Sequence, residues 1–189
     1  MPYRDVEFRA DHYYHLYNRG HNKQTIFFER ENYLFFLRRL RKYLVPDVFE
    51  LVAYCLMPNH YHFLIRLKMD DLSARMQPFA LSYTKAINKR YDRKGGLFQG
   101  PFRATLVETD EYLLHLSRYI HLNPVTAELV AKAEDWAFSS YRDYIGLRSG
   151  TLPTPDIVLA HFPSPAAYQA FVEAYTVGDE EIIRHLMLD

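Results

Sequence analysis

The chain has 189 residues, 49% apolar and 16% aromatic, which is enough for one sizeable core with appendages but short of two full domains. Its 23 basic and 23 acidic side chains cancel, which argues against a strongly basic nucleic-acid-coating protein, and no apolar run reaches the length of a membrane span. A single cysteine, Cys55, excludes an intrachain disulfide; it is expected as a small core residue in a reducing, cytoplasmic setting.

Met1–Asp5 has no apolar core of a signal peptide. Residues 12–18 read as a first strand, followed by a polar loop, Arg19-Gly20-His21-Asn22-Lys23. Glu29 to Tyr43 reads as an amphipathic helix ended by Pro46. Tyr33, Phe36, Leu37, Leu40 and Leu44 recur at helical spacing, with Arg38, Arg39, Arg41 and Lys42 on the other side. Phe49 to Leu56 and His60 to Leu67 read as two strands joined by a tight turn at Met57-Pro58-Asn59.

The second of these strands opens with His60-Tyr61-His62. Side chains two apart on a strand share a face, so the two imidazoles project together, roughly 7 Å apart at Cβ, close enough to close on one ion. Tyr61 and Phe63 point to the opposite face. The same spacing also serves two ordinary strand histidines.

Leu72 to Tyr91 reads as a second helix, started or kinked by Pro78. Gly95 to Pro101 forms a glycine-rich loop, and Phe102 to Val107 a fourth strand. Thr109 or Asp110 caps a third helix through Leu122, where Pro124 is expected to stop it. The order β-α-β-β-α-β is that of an α+β, ferredoxin-like unit with an antiparallel sheet and helices on one face, followed by the additional helix. The segment Trp136–Tyr141 reads as a packed extension. Pro153, Pro155, Pro163 and Pro165 mark a linker-like stretch before two short helices, 166–175 and 180–187. One domain over residues 1–148 and a C-terminal extension over 149–189, without assignable role, is the expected division.

Charge is unevenly spread. Residues 151–189 hold one basic and six acidic side chains, leaving residues 1–150 with 22 basic and 17 acidic, an asymmetry that hints at a polyanionic partner. Lys85, Lys89, Arg90 and Arg93 flank Tyr83 and Tyr91 on the second helix; Arg19, Lys23 and Arg103 lie elsewhere. Cations interleaved with aromatics suit DNA backbone and stacked bases, although a solvated face has the same composition. On the third helix Tyr112, His115, Leu116, Tyr119 and Asn123 fall on one stripe. Laid against the histidine face of the sheet, that stripe would bring Tyr119 and Asn123 to His60 and His62; otherwise it is a core stripe. His12, His15, His21, His115 and His121 have no partner assignable from sequence.

Four pieces occur in order: Tyr17-Asn18-Arg19-Gly20-His21-Asn22-Lys23, Met57-Pro58-Asn59-His60-Tyr61-His62, Gly96-Leu97-Phe98-Gln99, and Arg118-Tyr119-Ile120-His121-Leu122-Asn123-Pro124-Val125. Together they resemble the single-tyrosine HUH transposases, in particular the REP-associated tyrosine transposase branch, over about residues 10–145. Insertion-sequence relatives tend to have glutamine where this chain has Asn123; the Asn-Pro-Val continuation and the Trp136 segment favour the REP-associated branch.

The resemblance implies nicking and strand transfer of single-stranded DNA near a hairpin. His60, His62 and Asn123 would hold a divalent metal, Mg2+ or Mn2+, and Tyr119 would be the nucleophile that forms a 5′-phosphotyrosine. Insertion-sequence relatives are expected to act as homodimers, which the REP-associated branch need not do. The chemistry is coherent on physical grounds. Near pH 7 only about one tyrosine in a thousand is ionised, a penalty of about 4 kcal/mol, and a cation on the scissile phosphate eases both the ionisation and the charge on the transition state. A covalent phosphotyrosine conserves the bond, so transfer needs no ATP. Two rivals remain at this level: a domesticated hairpin-binding protein that does not cut, and a metal-dependent hydrolase in which water attacks.

Overall fold

A computed structural model describes residues 6–187. Met1–Asp5, read above for a signal peptide, and Asp189, counted in the acidic tail, lie outside them.

Four antiparallel strands form one sheet: β1 (Tyr13–Arg19), β2 (Phe49–Met57), β3 (His60–Leu67) and β4 (Arg103–Val107), in the order β2-β3-β1-β4. This is the expected ferredoxin-like topology. Helices α1 (Arg30–Tyr43) and α2 (Leu72–Arg90) cover one face. There Phe36, Phe79 and Tyr83 pack on Tyr14, Leu16, Tyr61, Phe63 and Ile65. The alternation expected for β3 therefore holds, with Tyr61 and Phe63 turned to this face. The N-terminus of α1 is closed reciprocally by Glu29 and Asn32, whose Oδ1 accepts from the backbone N–H groups of Phe28 and Glu29.

Helix α3 (Asp110–Thr126) packs on the other face, against β2 and β3. Thr109 caps it by accepting from Tyr112 N–H at 3.1 Å, and Asp110 and Glu111 sit in its first turn, where the helix dipole favours them. Pro124 does not stop it as expected. A proline in the last turn forfeits only one intrahelical bond, and Ala127 N–H closes the helix on Asn123 O at 2.9 Å. Asn123 thereby keeps helical geometry one turn beyond Tyr119. Pro78 likewise lies within a continuous α2.

Strand β2 changes phase midway. A bulge between Leu51 and Ala53 shifts its register against β3. Phe49 and Leu51 face α1 and α2, whereas Ala53, Cys55 and Met57 face α3. One extra residue is enough, because strand side chains alternate with period two. Tyr144 Oη donates to Val52 O at the bulge, at 2.8 Å.

The Trp136 segment covers the outer edge of β2. Leu56 N–H donates to Phe138 O, Trp136 Nε1 donates to Leu56 O, and Phe138 stacks on Tyr33 with ring centroids 3.9 Å apart. An exposed edge strand is thereby blunted. The proline-marked stretch expected as a linker is docked instead: Thr154 N–H donates to Leu51 O at 2.8 Å and Val158 is fully buried. Four short helices complete the chain, α4 (Tyr141–Tyr144), α5 (Asp156–Leu159), α6 (Pro165–Glu173) and α7 (Asp179–Ile183), with a 3-10 turn over Arg184–Leu186. They pack on α3, burying Tyr168, Val172, Ile183 and Leu186. Asp179 pairs with the buried Arg118 of α3 at 2.9 Å, so part of the tail's negative charge is spent inside the molecule. Among the described residues no helix is long and apolar enough to cross a membrane.

Candidate active site at the junction of the sheet and α3

Strand register builds the floor of the site. Cys55, His62, Tyr17 and Arg103 form one row across the four strands, and Met57, His60 and Arg19 the next. Paired antiparallel residues project to the same side, so the histidines, Tyr17, Arg19 and Arg103 share the α3 face. The Tyr17 ring lies 5.8 Å from that of His60 and 5.1 Å from that of His62.

From above, α3 supplies Tyr119 and Asn123. The Tyr119 ring meets His62 edge-on, with centroids 5.6 Å apart, and is 8% exposed. Asn123 places its amide between the histidines: Oδ1 is 3.2 Å from His60 Nε2 and Nδ2 is 3.3 Å from His62 Nε2. The four residues singled out from sequence as nucleophile and metal ligands are thus brought together. The stripe that carried them splits, however. Leu116, Tyr119 and Asn123 are buried beneath the helix, while Tyr112 and His115 turn to the C-terminal segment and touch His185 and Phe171.

The outer hydrogen bonds fix the rings. Asn59 Nδ2 donates to Lys23 O at 3.1 Å, so its Oδ1, 2.7 Å from His60 Nδ1, accepts from that nitrogen. The neutral His60 ring then has its lone pair on Nε2. His62 is fully buried, and burial first, then His15 and His60 nearby, push its pKa well below the ordinary histidine value. Neutral His62 also offers Nε2 as an acceptor when its Nδ1 donates to His15 Nε2, 2.9 Å away. The Asn123 amide can donate to only one of two acceptor nitrogens, whichever way it is turned. The other contact sets oxygen against imidazole nitrogen, which only a proton or a cation between them makes favourable.

That arrangement fits a hard or borderline cation. Neighbouring ligands around Mg2+ or Mn2+, with bonds of about 2.1 Å, lie roughly 3 Å apart, close to the 3.2 Å between Asn123 Oδ1 and His60 Nε2. Among the described residues there is no group of three or more His, Cys, Asp or Glu side chains that could hold a metal, so a cation here would rest on the two imidazoles and the amide oxygen.

The candidate DNA contacts divide. Arg19, whose Nε donates to Gln99, and Arg103 border the histidines; Lys23 is exposed in the adjoining turn. Lys85, Lys89, Arg90 and Arg93 belong to α2 and the turn after it, on the other side of the sheet. Arg90 donates to Glu29, and Arg93 donates to Gln24 and lies over the Phe28 ring. Of the rival tyrosines, Tyr83 is fully buried, donates to Ile26 O and has its pKa pushed up by burial, while Tyr91 Oη donates to Glu29 at 2.8 Å and lies 3.1 Å from Asn32 Oδ1.

Sequence reasoning missed His15. Alternation along β1 puts it on the face of Tyr17, but only the register with β3 sets it beside His62. His121, also left without a partner, is a core residue held between Tyr168 Oη and Ser140 Oγ.

Known proteins resemble this chain in sequence and in fold. A Haemophilus influenzae protein provisionally named a REP-associated tyrosine transposase is 30% identical over 104 residues, covering 49% of this chain and 59% of that relative. The chain thus spans about three-fifths of that relative's length. The solved structure of a REP-associated tyrosine transposase bound to a REP hairpin superposes with a TM-score of 0.63 at 19% identity, covering 82% of this chain and 90% of the other, a likeness of fold. The family model described as "Transposase IS200 like" matches residues 9–123, from the approach to β1 through Asn123 itself, and the chain belongs to that family.

Proposed function

We propose that this protein nicks and rejoins single-stranded DNA beside a hairpin, with Tyr119 as nucleophile and a divalent cation held by His60, His62 and Asn123. The observation that carries the reading is the convergence of the Asn123 amide on both Nε2 atoms, one helical turn from a tyrosine whose ring abuts His62. Such a cation, Mg2+ or Mn2+, would polarise a non-bridging phosphoryl oxygen and stabilise the charge of the pentacovalent transition state.

The chain's own residues supply the rest. Tyr119 Oη forms a bond to phosphorus as the P–O3′ bond breaks. The phenolic proton is lost, and the departing oxygen gains one to become a free 3′-hydroxyl. The 5′-phosphate remains esterified to tyrosine, so attack by another 3′-hydroxyl reverses the step on a new strand without external energy. Arg19 and Arg103, on the histidine side of the sheet, would hold the flanking phosphates. The hairpin partner is inferred from the fold relative solved with one.

The test incubates the protein with hairpin-bearing single-stranded DNA and Mn2+, followed by a denaturing gel. A covalent protein–DNA adduct is expected, absent from Tyr119→Phe, which still shifts the DNA in a native gel. An adduct that survives Tyr119→Phe removes the nucleophile assignment. Cut DNA with no attached protein indicates attack by water, and binding without any metal-dependent cutting indicates a hairpin-binding protein.

A further inference from the structure

Behind the proposed metal ligands lies a second, fully buried histidine. His15 reaches in two directions: its Nδ1 is 2.6 Å from the backbone carbonyl of Leu186, and its Nε2 is 2.9 Å from Nδ1 of His62. The two rings are nearly parallel, with centroids 5.1 Å apart and 19° between planes. His15 is 0% exposed, as is His62.

A carbonyl oxygen only accepts, so the short contact to Leu186 requires a proton on His15 Nδ1. A neutral imidazole carries one N–H, which leaves Nε2 of His15 as an acceptor. His62 Nδ1 must then be the donor, and the remaining lone pair of His62 lies on Nε2, the atom that faces Asn123. With His15 neutral, each link follows from the one before it, starting from a main-chain group that cannot change its role.

We propose that His15 is a positioning residue that fixes His62 as the Nδ1–H tautomer, so that Nε2 is held ready for a metal ion, with the direction of the relay set by the Leu186 carbonyl. The proposal rests on the reading of His62 as a ligand, but the tautomer itself does not. It also gives the C-terminal segment a part in the site. Leu186 lies 63 residues beyond the end of the family match at 123 and still determines how a ligand within that match presents its nitrogen. Neighbours of this kind, which orient a ligating imidazole, commonly change metal affinity by about 10- to 100-fold when removed.

The experiment uses the full chain, labelled with 15N-histidine and free of metal. Two-bond 1H–15N correlation spectra report which nitrogen of each imidazole carries the proton, and Mn2+ titration by calorimetry reports affinity. Wild type is expected to show His62 protonated on Nδ1 and bare on Nε2. His15→Gln keeps this pattern, because the glutamine amide can donate to Leu186 O and accept from His62 Nδ1. His15→Leu cannot accept; it is expected to release the His62 proton to either nitrogen and weaken Mn2+ binding by about 10- to 100-fold.

A wild-type His62 protonated on Nε2 overturns the proposal even if His15→Leu fails to fold. So does a folded His15→Leu whose His62 tautomer and Mn2+ affinity match wild type. If no form binds Mn2+, the metal reading fails, while the tautomer spectra still decide whether His15 sets the His62 ring.

Discussion

The side-chain oxygen of Asn123 lies 3.2 Å from Nε2 of His60, and the outer hydrogen bonds make both atoms acceptors in the neutral ring. A buried or half-buried contact of this kind is unfavourable unless a positive charge joins its two sides. The site therefore holds a local conflict that a proton or a cation between the two atoms would relieve, and conflicts of this sort concentrate where function is carried.

The first prediction follows from that conflict. Asn123→Asp replaces a neutral oxygen with a carboxylate and is expected to raise Mn2+ affinity by about tenfold, about 1.4 kcal/mol. Asn123→Leu removes the oxygen and is expected to lower affinity by a similar factor or more. Isothermal titration calorimetry reads both; equal affinities across the three proteins would remove Asn123 from the ligand set.

A second prediction separates the two groups of cations. Arg103 shares the strand row of His62 and Tyr17, whereas Lys85 and Lys89 are exposed on α2 beyond the other face of the sheet. If scissile DNA lies over the histidines, Arg103→Ala lowers the slope of log affinity against log salt by about 0.7, the loss of one phosphate contact to single-stranded DNA. Lys85→Ala is expected to change that slope less. Fluorescence anisotropy over a salt series gives the slopes.

The third concerns acid stability. Burial holds His121 neutral, with its pKa pushed down from 6.5 to about 3, and holds His62 well below its ordinary value. In the unfolded chain both take up protons near their ordinary pKa. Stability from this source is complete above about pH 6.5. It falls as pH drops below that value, by up to about 1.4 kcal/mol per unit for each histidine, and the His121 contribution is exhausted near pH 3. Urea unfolding of the metal-free protein across pH 7.5 to 4.5 is expected to show the decline. His121→Gln is expected to be less stable at neutral pH, with a shallower acid slope.

A fourth prediction tests the bulge in β2. Tyr144 is fully buried and its hydroxyl donates to Val52 O, the carbonyl at the phase change. Tyr144→Phe keeps the ring and leaves that carbonyl without this donor, a cost of about 1–3 kcal/mol. The midpoint of urea unfolding should fall with the slope unchanged. No shift would show that the bulge is held by packing alone.

Much of the architecture was legible from local pattern. Period-two alternation in residues 60–67 separated His60 and His62 from Tyr61 and Phe63, and helical spacing named the buried side of α1 but only the Leu116, Tyr119 and Asn123 part of the α3 stripe. The order of elements was enough to infer the topology of the sheet. Prolines were the weaker guide. Pro124 was expected to end α3 and instead sits in its last turn, and the 153–165 stretch, expected as a linker, is docked by Thr154 and Val158. Proline reports a missing donor and a fixed φ, and whether a segment tolerates them depends on what it packs against.

The sequence by itself determined which residue types were present at which periods: an imidazole pair on one strand face, and a phenol and an amide one turn apart on a helix. Those are short-range properties, set by backbone geometry within a few residues. Only the tertiary structure decided that the helix lies on the histidine side of the sheet, that Asn123 bridges both rings, and that His15 and the Leu186 carbonyl stand behind His62. These depend on strand register and on packing between groups up to 171 residues apart, which no local periodicity encodes because the side chains that settle them belong to other elements.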